Sequence, residues 1–213
     1  GVRLGLGFAI TLVFLITIAT VSFMRLGTLN DDIELMINDR VPKVEQANKI
    51  INSINVIARH LRNAYIYSGA EQQKSIDAIA PERKIISDNI EKLEKSIKSE
   101  QGKDLLKKIQ ASRAAYVVTQ DKFLELLKAD KRADIITLMQ GDLRKTQTDY
   151  LASASALIVF QTEAMDKAGK AADETVVAAE RLIVILGAVA LLMSVLFAWF
   201  ITRSITRPIN EAL

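Results

Sequence analysis

The chain has no cysteine, a single histidine, three prolines and one tryptophan in its 213 residues. Without cysteine there are no disulfides and no thiolate metal sites, and the redox compartment is left open. The lone His60 cannot build a histidine metal cluster and reads as an ordinary surface or interface histidine. No glycine-rich phosphate loop and no paired carboxylates on a cleft are present, so neither an enzyme nor a cofactor is called for. Aromatics are 6% of the chain, and strand-like alternation is scarce. Helix formers dominate instead, which points to an all-α protein. An excess of one charge sign is also missing from the middle of the chain. Of 28 basic and 25 acidic residues, all but Arg3, Arg203, Arg207 and Glu211 fall between residues 25 and 181, where they nearly cancel. That balance removes any case for nucleic-acid binding despite a pI near 9.0.

What the chain does have is two long runs without charge, Leu4–Met24 and Leu182–Thr202. At about 1.5 Å rise per residue, each reaches roughly 30 Å, the thickness of a bilayer's hydrocarbon core. Backbone groups in lipid must bond within their own segment, so both runs should be transmembrane helices in contact with membrane lipid. The first run is longer than the apolar part of a cleavable signal peptide, and no small-residue cleavage site follows Phe23-Met24-Arg25. It is therefore expected to be a retained anchor. The chain opens on Gly1 rather than Met, so further residues are expected before it. Arg3 before the first span, with Arg203 and Arg207 after the second, places both termini in the cytoplasm and residues 25–181 outside. Arg25 and Arg181 at the outer ends blunt that argument. Trp199 and Phe200, just before Arg203, suit the aromatic belt of a membrane interface.

Between the spans, apolar residues recur at three- and four-residue steps. Leu29, Ile33, Met36, Val44, Ala47, Ile51, Ile54, Ala58, Leu61 and Tyr65 form one stripe, with Pro42 as a kink or irregularity and Ser68-Gly69 as the stop. A second stretch runs from Ile79 to Ile97 with Gly102 as its terminator, and Pro81 stands either in its first turn or at a kink. A third holds Leu106, Ile109, Arg113, Tyr116, Gln120, Phe123 and Leu127. The fourth starts near Ala133, includes Met139, Leu143, Tyr150, Leu157 and Gln161, and continues through Gly141 and Gly169 into the second span. Four amphipathic helices with short links give an antiparallel up-down-up-down four-helix bundle flanked by two transmembrane helices. An even number of helices also returns the chain to the membrane face it left.

Arg113 sits at a seam position among Ile109, Tyr116 and Phe123. An unpaired buried charge is costly, so this arginine needs a carboxylate partner or an anionic ligand. Tyr116 lies one turn away, and Tyr150 offers a second phenol from the fourth helix. The competing reading has Arg113 snorkel to the surface or pair with an internal acid such as Glu125. Arg59, His60, Arg62, Asn63, Tyr65 and Tyr67 make a polar-aromatic cluster at the far end of the first helix, which a solvated basic face would equally explain. Taken together, the arginines and tyrosines favour a small carboxylate ligand of the malate or citrate type. An aromatic carboxylate or an amino acid also fits, although no acidic group for an ammonium is evident.

Arg3-Leu-Gly-Leu-Gly-Phe8, opening a membrane helix, resembles the start of bacterial methyl-accepting chemotaxis proteins, as does a helical domain of this size between two spans. Ile201-Thr-Arg-Ser-Ile-Thr-Arg-Pro-Ile-Asn-Glu-Ala-Leu213 looks like the first residues of a HAMP relay, with Pro208 in that module's usual place. The resemblance covers the whole chain and is sharpest in this carboxy-terminal stretch, with the start of the HAMP linker at residues 203–213. It implies a receptor of the bacterial inner membrane with a periplasmic ligand-binding bundle, working as a homodimer. It further implies a cytoplasmic part, beyond this chain, that contacts a histidine kinase and a coupling protein. Ligand would sit in the distal region, held by first-helix arginines, for which Arg59 and Arg62 are the matches, and by groups on the fourth helix. Signals would leave by a small piston or rotation of that helix, with Trp199 and Phe200 setting its vertical rest position. The HAMP-like start also fits a sensor histidine kinase, and a receptor for a periplasmic binding protein is the other open alternative.

Overall fold

The structure, a computed structural model, describes residues 2–210, with the side chains of residues 2–4, 6, 201 and 204–210 outside the description. The expectations resting on the side chains of Arg3, Arg207 and Pro208 therefore lie outside the description, and Glu211 lies outside the described residues. The described chain is helical throughout: α1 (Val2–Leu35), a π-helical turn (Met36–Arg40), α2 (Val41–Ile66), α3 (Gly69–Asp77), α4 (Ile79–Ser96), α5 (Glu100–Lys128), α6 (Arg132–Gln140) and α7 (Asp142–Asn210). It divides into a unit of residues 35–166 and a second unit made of residues 1–34 with 167–213.

The 35–166 unit is a four-helix bundle in which α2, α3 with α4, α5, and α6 with the start of α7 are the four arms. Helix α2 packs on α3 and α4, α4 on α5, and α5 on α6. Ile50, Ile54, Ile57 and Leu61 of α2 meet Ile86, Ile90 and Leu93 of α4, Ile109 and Phe123 of α5, and Leu157 of α7 in one buried core. The buried face of α2 holds Ala47, Ile54, Ala58 and Leu61 of the stripe read from the sequence and extends to Ile50, Ile57 and Ala64, while Ile51 and Tyr65 are half-buried.

The irregularity expected at Pro42 is present. Proline has no N–H to continue an α-ladder, and its ring clashes with the carbonyl four residues back. The chain widens just ahead of it: Val41 N–H donates to Met36 O, five residues back, and the π-turn takes up an extra residue. Across this turn Lys43 Nζ reaches both carboxylate oxygens of Asp39 at 2.6 Å. The Lys43 side chain is 7% exposed, so the ion pair lets its charge be buried.

Two glycine expectations are corrected. Gly102 does not end the second arm, which stops at Ser96, with Ile97 extended. It lies in the first turn of α5, where its N–H donates to Ser99 Oγ at 3.2 Å in an N-cap. A Cβ there would stand 2.7 Å from Ile97 Cγ2 and 2.8 Å from Ser99 Oγ, so glycine is required by close packing. Gly141 interrupts the fourth arm, with φ −103° and ψ −107° between α6 and α7, so the helix is not continuous from Ala133. Gly169, by contrast, lies inside α7 without breaking it. Pro81 stands in the first turn of α4, where its missing N–H costs nothing.

In the other unit, the apolar segments of α1 and α7 turn large side chains outward. Phe8, Leu12, Val13, Leu15, Ile16 and Phe23 on α1, and Leu191, Leu192, Val195 and Leu196 on α7, are exposed over half or more of their surface. Both helices are long and apolar enough to cross a membrane. Outward apolar surface of this extent belongs in lipid. Arg203 stacks on Trp199, 5.3 Å from the ring centre, at the end of the second span.

Candidate ligand site

Arg113 does not pair with Glu125. Half-buried on α5, it donates from Nη2 to Ser87 Oγ of α4, and Ser87 donates in turn to the Arg83 carbonyl at 2.9 Å. One turn earlier on α4, Arg83 donates from Nε to Gln120 Oε1 at 2.9 Å and from Nη2 to Asp121 at 2.7 Å. The α4–α5 seam thus carries the two guanidiniums together with Asp121 and with Glu94, which accepts from Gln110 Nε2, and Arg113 has no ion-pair partner among the described residues.

Tyr116 and Tyr150 face each other across α5 and α7 in the interior, each 1% exposed. Neither hydroxyl has a hydrogen-bond partner. Gln120 lies near Tyr116, its Oε1 accepting from Arg83 and its amide N–H placed to favour the phenolate weakly. Burial holds both phenols above their ordinary titration range. The guanidiniums of Arg83 and Arg62 beside Tyr116, and of Arg113 beside Tyr150, pull weakly the other way. Around the phenols the α5–α7 contact is made by small hydroxyls. Thr119 and Thr146 share a hydrogen bond of 2.8 Å, and Ser153 donates to Ser112 at 3.0 Å.

A cleft of about 220 Å³ opens beside Tyr116. Ala58, Leu61 and Arg62 of α2 form one wall, Met139 of α6 and Leu143 the other, and Arg144 and Gln147 of α7 stand at its edge. None of the lining residues is acidic. Of the five residues singled out from the sequence, the cleft brings together two, Arg62 and Tyr116. Arg59 is exposed on α2 outside it. Arg113 and Tyr150 belong to the interior seam. Arg62 is itself exposed, its Nε touching only the Ala58 carbonyl of its own helix at 3.3 Å. Arg144 and Gln147 were not singled out by sequence reasoning. Both flank the buried positions Leu143 and Tyr150 on α7, where a polar residue looks like any helix edge.

The rest of the distal cluster has other work. His60 is half-buried with Nδ1 unpartnered. Tyr65 lies under Arg132, whose guanidinium is 5.6 Å from the ring centre, and Tyr67 caps the end of α2.

A helical bundle whose first and last arms belong to helices long and apolar enough to span a membrane is the build of a transmembrane sensor. The chain belongs to the family described as four helix bundle sensory module for signal transduction, whose pattern matches residues 1–176. The resemblance to chemotaxis receptors therefore holds at the level of the family, which makes the chain a chemoreceptor-type signalling sensor. No curated protein and no solved structure matches it.

Proposed function

We propose that the chain is the sensing portion of a transmembrane chemoreceptor whose bundle binds a small organic acid of the malate or citrate type. The observation that supports this most directly is the cleft between Arg62 and Arg144, walled by Tyr116 and lined by no acid. Two guanidiniums from different arms can each grip one carboxylate in bidentate fashion, and water is partly excluded from the cleft by Leu61, Met139 and Leu143. Arg113, bonded to Ser87 rather than to a carboxylate, adds a guanidinium in the interior. An amino acid is disfavoured, because no lining carboxylate meets an ammonium.

The ligand would join α2 to α7. It can shift the bundle between two packings only by its differential affinity for them. The hydroxyl pairs between α5 and α7 can exchange partners over a small displacement, so α7 is free to respond. In this reading, α7 carries the motion through the second span to a HAMP relay and a cytoplasmic kinase-control domain. The receptor works as a homodimer in the bacterial inner membrane with its bundle in the periplasm.

Calorimetric titration of the chain in nanodiscs with malate, citrate, succinate, benzoate and aspartate tests the proposal. Micromolar binding of one carboxylate is expected, lost in Arg62→Ala and in Arg144→Ala and retained in Arg59→Ala. Silence across the panel with the bundle folded, or affinity indifferent to both cleft arginines, would overturn it.

A further inference from the structure

From Arg144 to Asp149 on α7, most polar side chains are already engaged. Lys145 pairs with Asp149 at 2.7 Å, Thr146 shares a bond of 2.8 Å with Thr119, and Thr148 donates to the Arg144 carbonyl at 2.9 Å. Two in this stretch have no hydrogen-bond or ion-pair partner among the described residues, Arg144 and Gln147, and both stand at the edge of the cleft beside Tyr116. Arg144 is exposed and Gln147 half-buried. Three residues apart, they project from adjacent turns onto one face of the helix. On the other wall, Arg62 bonds only to its own helix. The cleft, at about 220 Å³, is smaller than the roughly 300–1,000 Å³ of sites for drug-sized ligands, so it suits a compact acid of a few carbons.

What Gln147 can read follows from its chemistry. Its amide has two N–H donors, a carbonyl acceptor and no charge. A guanidinium takes a carboxylate, which only accepts, whereas an amide matches a hydroxyl, which both donates and accepts. With one carboxylate of a ligand on Arg144 and another on Arg62, Gln147 stands beside the Arg144 end. The group it meets therefore sits on the carbon next to that carboxylate. An unsubstituted diacid carries only hydrogens there and leaves the half-buried amide without a partner. An ammonium at that carbon would set a positive charge beside two guanidiniums, with no lining acid to offset it.

We propose that Gln147 is the specificity-determining residue of this cleft, selecting 2-hydroxy acids with two or more carboxylates over the same acids without the hydroxyl. The assignment rests on the carboxylate reading of the cleft and goes beyond it, because the arginines alone would hold malate and succinate equally. One neutral hydrogen bond in a partly solvated site is worth up to about tenfold in affinity.

The test is calorimetric titration of the chain in nanodiscs with malate, citrate and succinate, the wild type beside two variants. In the wild type, malate should bind about tenfold tighter than succinate. Gln147→Met keeps an unbranched side chain suited to a helix and removes the amide. It should erase the preference, bringing malate down to the affinity of succinate. Gln147→Glu keeps the size and sets a negative charge against the acids, so it should weaken all three by more than about tenfold. Equal affinity for malate and succinate in the wild type, or a preference that survives Gln147→Met, would overturn the assignment and leave the carboxylate site standing. Undiminished binding in Gln147→Glu would do the same, by showing that residue 147 does not face the ligand. Silence toward all three acids in the folded wild type would overturn both readings together.

Discussion

Tyr116 and Tyr150 meet in the bundle interior with ring centroids 6.2 Å apart and planes tilted by 58°, and neither phenol is hydrogen-bonded. A tilted pair at this spacing is favourable for the rings. Each unsatisfied buried hydroxyl costs about 1–3 kcal/mol. Replacing either tyrosine with phenylalanine keeps the ring contact and removes the penalty. Tyr116→Phe and Tyr150→Phe are each expected to raise the stability of the ligand-free bundle by about 1 kcal/mol in urea unfolding. A loss of stability in either variant would mean that its hydroxyl is satisfied after all.

The same burial fixes how the bundle responds to alkali. Both phenols are held above their ordinary range in the folded state, so the fold favours the protonated form. Their contribution to stability is complete below the unfolded-state value of about 10 and is lost as pH rises beyond it. Stability should therefore fall above about pH 10. In ultraviolet difference titration, the tyrosinate signal of these two residues, isolated by comparison with the double phenylalanine variant, should appear only as the bundle unfolds. Titration of both near pH 10 in the folded protein would contradict the burial argument.

Gly102 and Gly169 offer opposite outcomes for one substitution. A Cβ at Gly102 strikes Ile97 and the capping Ser99, so Gly102→Ala is expected to cost about 1–3 kcal/mol. At Gly169 nothing lies within 4 Å, and Gly169→Ala should stabilise by about 0.5–1 kcal/mol through helix propensity alone. Thermal unfolding of the two variants side by side makes the comparison.

Arg83 ties α4 to α5 through Gln120 and Asp121, and its side chain is 28% exposed. Arg83→Ala releases buried Gln120 Oε1 and breaks the bridge, for an expected loss of about 1–2 kcal/mol. Asp121→Asn, at the more exposed end, should cost less than about 1 kcal/mol. A double-mutant cycle in urea would separate the two contacts.

Much of the bundle was legible in the sequence because the seams are long and regular. Ile109, Tyr116 and Phe123, and Tyr150 and Leu157, fall on the buried faces where three- and four-residue spacing puts them. The stripe of α2 was legible in Ala47, Ile54, Ala58 and Leu61, but the width of the turn ahead of Pro42 was not, since a proline signals an irregularity without saying how many residues it absorbs. Nor do glycines announce their roles: Gly102 is a packing contact, Gly141 a break and Gly169 neither. At the candidate site, Arg62 and Tyr116 stood out by residue type and position. Arg144 could not, because an arginine at the edge of a helix looks solvated until the arm across from it is placed. Arg113 stood out by its seam position, but its neighbour, Ser87, comes from another helix and has no signature that spacing can reveal.

The π-turn at Met36–Arg40 also bears on how this chain tolerates changes in length. It already carries one residue more than an α-helical turn requires, so deleting one residue there restores α-helical spacing and leaves the core face of α2 in place, with the missing bond and ring clash of Pro42 as the cost. A deletion between Ala47 and Ala64 would instead rotate Ile50, Ile54, Ile57 and Leu61 out of the core by about 100°. Changes of a single codon are thus absorbed in one short stretch of the first arm and destructive immediately after it.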